Sequence, residues 1–226
     1  MQRFPNAAKG VERIFKAEIL AIIAAAITIV TSIITAIGLI AGQEDEETLA
    51  AYIGIAAIFA IAAVVLAVIA FIFQLIGLHR AGLDEEKFKT ALTCVIVNII
   101  VNIVGAFFSN AVVTGIFTII ESILSVLVLV FIIQGIMTLG EKLGDEYLVN
   151  RGKFLLKLVL ILCVVAIVLN LLSDIILTDV VAVVAGILGI VAAIVSLVQL
   201  VIYLIYLSKA KDVLKSAKKV EVIENQ

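Results

Sequence analysis

Residues 17–41 have the sequence AEILAIIAAAITIVTSIITAIGLIA, and this stretch decides the fold class. Its one ionisable side chain is Glu18, and the other residues are aliphatic or small. A helix needs about 20 mostly apolar residues to cross the hydrocarbon core of a bilayer. The stretch meets that length, and we predict that it is a membrane-spanning α-helix.

Five further apolar runs are long enough to span, at residues 49–78, 91–108, 112–139, 154–177 and 180–207. Across the 226 residues 64% are hydrophobic and 15% are charged, whereas about a quarter of a soluble domain is charged. In lipid, backbone N–H and C=O groups all find hydrogen-bond partners only in helices or closed barrels. Barrel strands alternate polar and apolar residues, and these continuous apolar runs do not. The predicted fold class is therefore all-α, a polytopic transmembrane helical bundle of six spans.

The basic residues predict the orientation of the spans. All 16 Lys and Arg residues lie before the first span, between the second and third, between or just inside the fourth and fifth, or after the sixth. The other three connections contain no Lys or Arg, and the first of them carries the acidic run 44–47. Because basic loops stay on the cytoplasmic side of a membrane, we predict a multi-pass protein with both termini in the cytoplasm.

This topology divides the chain into three parts. Residues 1–16 form a cytoplasmic amphipathic N-terminal arm, residues 17–207 form the transmembrane bundle, and residues 208–226 form a basic cytoplasmic tail. The connections on the outer side are short, so consecutive spans pair as antiparallel hairpins. The three predicted hairpins are 17–78, 91–139 and 154–207.

We interpret the hairpins as an internal repeat, because similar residues recur at equivalent points. Gln74, Gln134 and Gln199 each lie near the cytoplasmic end of an even span, and Glu18 and Lys157 lie near the cytoplasmic ends of the first and fifth. We assign all five to structural or interface roles. For Glu18 that role is a pair with Lys157 or contact with interfacial water. Two alternatives stay open, a gating or ion-coupling carboxylate at Glu18 and a filter formed by the Gln residues.

Small side chains recur at alternating spacings of four and three residues along residues 17–42 and along residues 56–77. Such spacing places the small residues on one face of each helix. In lipid, small residues let helix backbones approach closely. We interpret the two stripes as helix-packing faces, with a pathway lined by small and polar groups as the alternative.

Uncharged polar residues and one carboxylate lie deep inside the predicted spans. Asn98 and Asn102 are one turn apart on the third span, Asn170 is in the corresponding part of the fifth, and Glu121 is in the outer half of the fourth. Buried amides need hydrogen-bond partners. For the Asn residues interhelical hydrogen bonds would supply them, and for Glu121 we expect a carboxylate that reaches the outer headgroups. The alternative for all four residues is a ligand or transport site for a polar solute or cation.

The sequence contains no pattern that indicates an enzyme. It has no Gly-rich phosphate loop and no cluster of metal ligands, and its single His, His79, lies in a predicted cytoplasmic loop. No His inside a span is available to activate a nucleophile. We therefore expect no catalytic residues, no metal and no cofactor.

Both cytoplasmic segments combine an apolar face with basic residues. Arg3, Lys9, Arg13 and Lys16 accompany such a face in the arm, and five Lys residues accompany one in the tail. This pattern is typical of helices that lie on a bilayer and contact anionic lipid headgroups through Lys and Arg. For the tail, a solvated extension of the sixth span is an equal alternative. We expect no nucleic-acid binding, because the Lys residues lack interleaved aromatics.

Residues 6–20, with the sequence NAAKGVERIFKAEIL, resemble the start of small uncharacterised bacterial six-span integral membrane proteins. The resemblance implies a location in the bacterial inner (plasma) membrane and brings no known activity or functional residues. From the residues themselves, we expect a non-enzymatic integral membrane protein that acts through helix packing with itself, as a homo-oligomer, or with a membrane protein partner. The alternative is a small-solute or ion transporter or channel that uses the polar midplane residues.

Overall fold

The structure is a computed structural model that describes residues 4–41, 46–175 and 179–224, with side chains described over 4–40, 47–110, 113–165 and 195–217. All regular secondary structure in the described residues is α-helical. The helices are α1 Pro5–Ala41, α2 Glu46–Ala81, α3 Glu86–Gly105, α4 Ala111–Leu143, α5 Glu146–Ile175 and α6 Asp179–Glu224.

Each apolar run belongs to a different helix, so the predicted all-α class is confirmed for the described residues. Within the described residues, four helices are long and apolar enough to cross a membrane, with mean hydropathies from 1.8 to 3.2. These helices suggest a membrane protein. They are Pro5–Ile40, Glu47–Ala81, Glu86–Gly105 and Val113–Leu143. The six-span count, the repeat and the orientation stay predictions.

The helices extend beyond the apolar runs at several ends. Helix α1 begins at Pro5, inside the predicted arm, and α6 continues through the predicted tail to Glu224. Pro is favoured at the first position of a helix, because its missing N–H has no intrahelical partner there. Hydropathy marks the part of a helix that suits lipid, whereas backbone hydrogen bonding continues until a cap or turn ends it.

Gly144 ends α4, and the next residue, Asp145, caps α5. Gly144 has φ +71°, a left-handed conformation that glycine adopts without steric cost. The N–H of Gly144 donates to the Glu141 carbonyl at 3.2 Å, and that of Asp145 donates to the Gly140 carbonyl at 2.9 Å. This pair of bonds is a Schellman motif. Asp145 Oδ1 then accepts the Leu148 N–H at 2.9 Å, which caps the N-terminus of α5.

The chain forms two compact units. The larger unit comprises Met1–Val11 and Leu78–Gln226, and the hairpin unit comprises Glu12–Gly77. In the larger unit α3 packs on α4, α4 on α5 and α5 on α6. Among the described side chains of this unit, the fully buried large ones include Leu78, Phe88, Ile132, Ile133, Ile136, Leu139, Leu148, Leu155, Tyr206 and Leu207.

Helices α1 and α2 approach closely near the turn of the hairpin unit. A Cβ placed on Gly38 would lie 2.5 Å from the Cβ of Tyr52, so this contact requires glycine. Away from it, most large apolar side chains of both helices are exposed, including Ile29, Ile58 and Ile61 at 62%, 70% and 65%. Water does not accommodate a surface of this kind, but lipid does.

Candidate functional site

An open groove of about 590 Å³ lies between α1 and α2 within the hairpin unit. The small-residue stripes of both helices line it. From α1 come Ala17, Glu18, Ala21, Ala24, Ala25, Thr28 and Thr31, and from α2 come Ala60, Ala63, Val64, Ala67, Ala70, Phe71 and Gln74.

The groove has a closed floor and an open side. Ala24, Ala63 and Ala70 are buried, whereas Ala21 and Ala67 are exposed. The two stripes therefore do more than pack on each other, because part of each faces an opening. The packing-face interpretation and its alternative of a lined pathway both stay predictions.

Glu18 and Gln74 lie among the lining residues, and the Gln74 side chain is half-buried. The neighbouring cation, Lys16, forms an ion pair of 3.0 Å with Glu12. Within the described side chains, the Glu18 carboxylate has no ion pair. Glu18 is the single ionisable residue of the lining, so it gives the groove a carboxyl group.

A second polar cluster joins α3 to α4. Asn98 Nδ2 donates to Ser125 Oγ at 3.4 Å. Asn102 Nδ2 donates to the Asn98 carbonyl at 2.9 Å and to Asn98 Oδ1 at 3.3 Å. Ser125 Oγ in turn donates to the backbone carbonyl of Glu121 at 2.9 Å. Two of the predicted ligand residues, Asn98 and Asn102, therefore meet, and Glu121 joins them through its main chain.

The remaining predicted residues are dispersed. Gln134 on α4 and Gln199 on α6 are half-buried, and Lys157 on α5 is exposed. The side chain of Asn170 lies outside those that the structure describes. A pair between Glu18 and Lys157 and a role for Asn170 in the polar cluster both stay predictions.

A set of hydrogen bonds and an ion pair at the start of α1 was not predicted from the sequence. The Asp84 carboxylate, in the turn between α2 and α3, accepts the N–H groups of Asn6 and Ala7 at 2.8 Å each. Its neighbour Glu85, which is 8% exposed, pairs with Lys142 Nζ at 2.6 Å. The acidic turn was visible in the sequence, but no local pattern indicates which distant helix it contacts.

The apolar face of the arm is also part of this region. Ala7, Ala8 and Val11 are 0%, 5% and 0% exposed. The sequence analysis placed this face on the bilayer surface, whereas the structure packs it inside protein. Of the basic residues that accompany it, Lys9 and Lys16 are exposed and Arg13 is half-buried.

No family model, curated protein or solved structure matches the chain. The resemblance of residues 6–20 to bacterial membrane proteins therefore stays a prediction. Among the described residues, no group of three or more His, Cys, Asp or Glu side chains is placed to hold a metal ion.

Proposed function

We propose that the chain is a six-span, non-enzymatic integral membrane protein, with both termini in the cytoplasm, that acts by packing its helices against a second copy or another membrane protein. The observation that best supports this proposal is the exposed side chain of Asn102. Asn102 is exposed on α3, at a depth that the predicted third span, 91–108, places inside the bilayer.

An amide exposed to hydrocarbon is unfavourable unless it is hydrogen-bonded. The Asn102 NH₂ group donates within α3, but its Oδ1 accepts no hydrogen bond from the described side chains. A donor on a neighbouring helix would satisfy that oxygen. Interhelical hydrogen bonds of this kind contribute about 0.6 kcal/mol on average in membranes, and up to about 1.7 kcal/mol.

The adjacent face of α4 is suited to close helix approach. Thr114, Thr118 and Ser122 are exposed at four-residue spacing, and each hydroxyl donates to the backbone carbonyl four residues earlier. The side chains are therefore small and already hydrogen-bonded, so they add little cost to a helix contact. We name the face formed by Asn98, Asn102, Thr114, Thr118 and Ser122 the α3–α4 face.

A photo-crosslinking amino acid at Thr118 tests this proposal in native membranes. We expect a specific adduct, either a dimer of this chain or a complex with one partner. Asn102→Leu should weaken the association by about threefold to about twentyfold, the range that the hydrogen-bond energies give. Ile100→Leu, at a position 55% exposed on the same helix, is the matched control. A lone monomer in detergent and no adduct from Thr118 would refute the proposal.

The second candidate function is a transporter or channel for a small solute or ion. The observation that favours it is the convergence of Asn98, Asn102 and Ser125 with the Glu121 main chain at one depth. Uptake of a solute panel would be measured in a deletion strain and in proteoliposomes. An unchanged uptake profile in both would remove this candidate.

A further inference from the structure

We propose that the groove between α1 and α2 binds one phospholipid whose headgroup carries a primary amine, with its ammonium against Glu18 and one acyl chain along the Ala-lined floor. The inference rests on the bilayer location in the proposed function, but it is independent of the α3–α4 face. The ligand comes from the surrounding membrane.

The dimensions of the groove suit a single extended chain. Its lining runs from Ala17 to Thr31 on α1 and from Ala60 to Gln74 on α2, each a rise of about 21 Å. The groove holds about 590 Å³ over that length and is open along one side. A long, narrow groove of this kind suits one extended acyl chain.

The chemistry of the walls favours an apolar occupant along most of this length. The two Thr residues of the lining use their hydroxyls locally: Thr28 donates to the Ala24 carbonyl at 3.0 Å and Thr31 to the Ile27 carbonyl at 2.8 Å. The other groove residues beyond Glu18 and Gln74 are Ala, Val and Phe. Such a surface offers a polar solute few hydrogen bonds, but it matches a hydrocarbon chain.

The headgroup specificity follows from charge. Residue 18 lies at the cytoplasmic end of the predicted first span, where lipid headgroups begin. Its carboxylate attracts an ammonium group and repels an anionic headgroup that lacks one. Lys16 does not reverse this preference, because Glu12 already pairs with it. The amide of Gln74 supplies N–H donors for the lipid phosphate.

The chain contains no Trp, so one inserted Trp reports on a single position. Phe71→Trp places the reporter in the groove lining, and Ile72→Trp places it at the same depth, 46% exposed and outside the lining. Both full-length variants would be reconstituted in vesicles of phosphatidylethanolamine and phosphatidylglycerol. Quenching by brominated acyl chains of either lipid gives the relative association constant at each site.

In the Phe71→Trp protein, we expect the ethanolamine lipid to associate about tenfold more strongly than the glycerol lipid, a ratio typical of a charge-assisted hydrogen bond. In the Ile72→Trp protein the ratio should be about one. Adding Glu18→Gln to the Phe71→Trp protein should lower its ratio to about one. Equal association of the two lipids at both reporters would overturn the proposal.

A groove-filling variant separates chain binding from headgroup binding. Ala67 lines the groove and Ala62 does not, although both are exposed on α2. Both variants are made in the protein without an added Trp, and native mass spectrometry measures the lipid that each retains. Ala67→Phe should lower the amount of retained lipid by about tenfold, and Ala62→Phe should leave that amount unchanged. Equal retention by the two would also overturn the proposal. Crosslinking from Thr118 tests the α3–α4 face independently of lipid binding. Failure of the lipid proposal can therefore be told apart from failure of the proposed function.

Discussion

Asp84 caps α1 through Asn6, which lies 78 residues before it in the chain: the Asp84 Oδ2 atom accepts the backbone N–H of Asn6 at 2.8 Å, and its Oδ1 atom accepts the Asn6 side-chain amide at 3.0 Å. The first N–H groups of any helix have no intrahelical acceptor. In α1 the N-terminal Pro5 has no N–H, and the next two N–H groups both reach Asp84. A long-range carboxylate therefore takes the place of a local cap, and its charge also suits the helix dipole.

Loss of this cap should loosen the start of α1. We expect Asp84→Ala to lower the free energy of local opening by about 1–2 kcal/mol, because two N–H groups lose their acceptor. Hydrogen exchange of the Asn6 and Ala7 amides in detergent measures it. Asp84→Asn keeps one oxygen and should have an intermediate effect, and exposed Lys87→Ala should have none. Equal exchange in all four proteins would contradict the capping role.

The pair between Glu85 and Lys142 should be energetically coupled. Glu85 is almost buried while the Lys142 side chain is 46% exposed, so solvent screens one partner and the coupling stays modest. We expect a coupling energy of about 1–2 kcal/mol in a double-mutant cycle of Glu85→Gln and Lys142→Met. The free energy of unfolding in mixed micelles gives each corner of the cycle. Strictly additive single effects would show that the 2.6 Å contact contributes nothing.

Gly38 should be required for the close approach of α1 and α2. We expect Gly38→Ala to destabilise the protein by about 1–3 kcal/mol, because the new methyl group would overlap the Tyr52 Cβ. Gly54→Ala is the matched control, since nothing lies within 4 Å of a Cβ at that position. Unfolding by added denaturing detergent compares the two variants. A Gly38→Ala protein as stable as Gly54→Ala would exclude the tight contact.

The sequence predicted the helices well because apolar length is a local property. Each apolar run belongs mainly to its own helix, and residues 17–41 fall entirely within α1. The predicted end of the third span at 108 was wrong by three residues, because α3 ends at Gly105. The ends were less predictable, because they depend on turn chemistry and not on hydropathy. Helix α5 begins at Glu146, inside the connection and before the predicted span at 154, since Gly144 and Asp145 complete the turn that starts it.

The candidate sites were only partly predictable. The spacing of Ala and Thr in α1 and α2 showed which faces carry small residues, but it does not indicate whether two facing stripes touch or leave an opening. The spacing did not indicate that Glu18 and Gln74 both line a groove, and their structural roles stay predictions. The one-turn spacing of Asn98 and Asn102 predicted that they share a face of one helix, and their hydrogen bond lies within α3.

Cysteine accessibility tests the central claim, a six-span chain with both termini in the cytoplasm. In a background in which Cys94 and Cys163, both free thiols, are replaced, single cysteines would be placed at Asp45, Lys87 and Lys215. A membrane-impermeant maleimide is then added to intact cells. The account predicts labelling of Asp45→Cys alone, with the other two labelled after the membrane is permeabilised. Labelling of Lys87→Cys or Lys215→Cys in intact cells, with Asp45→Cys protected, would contradict it.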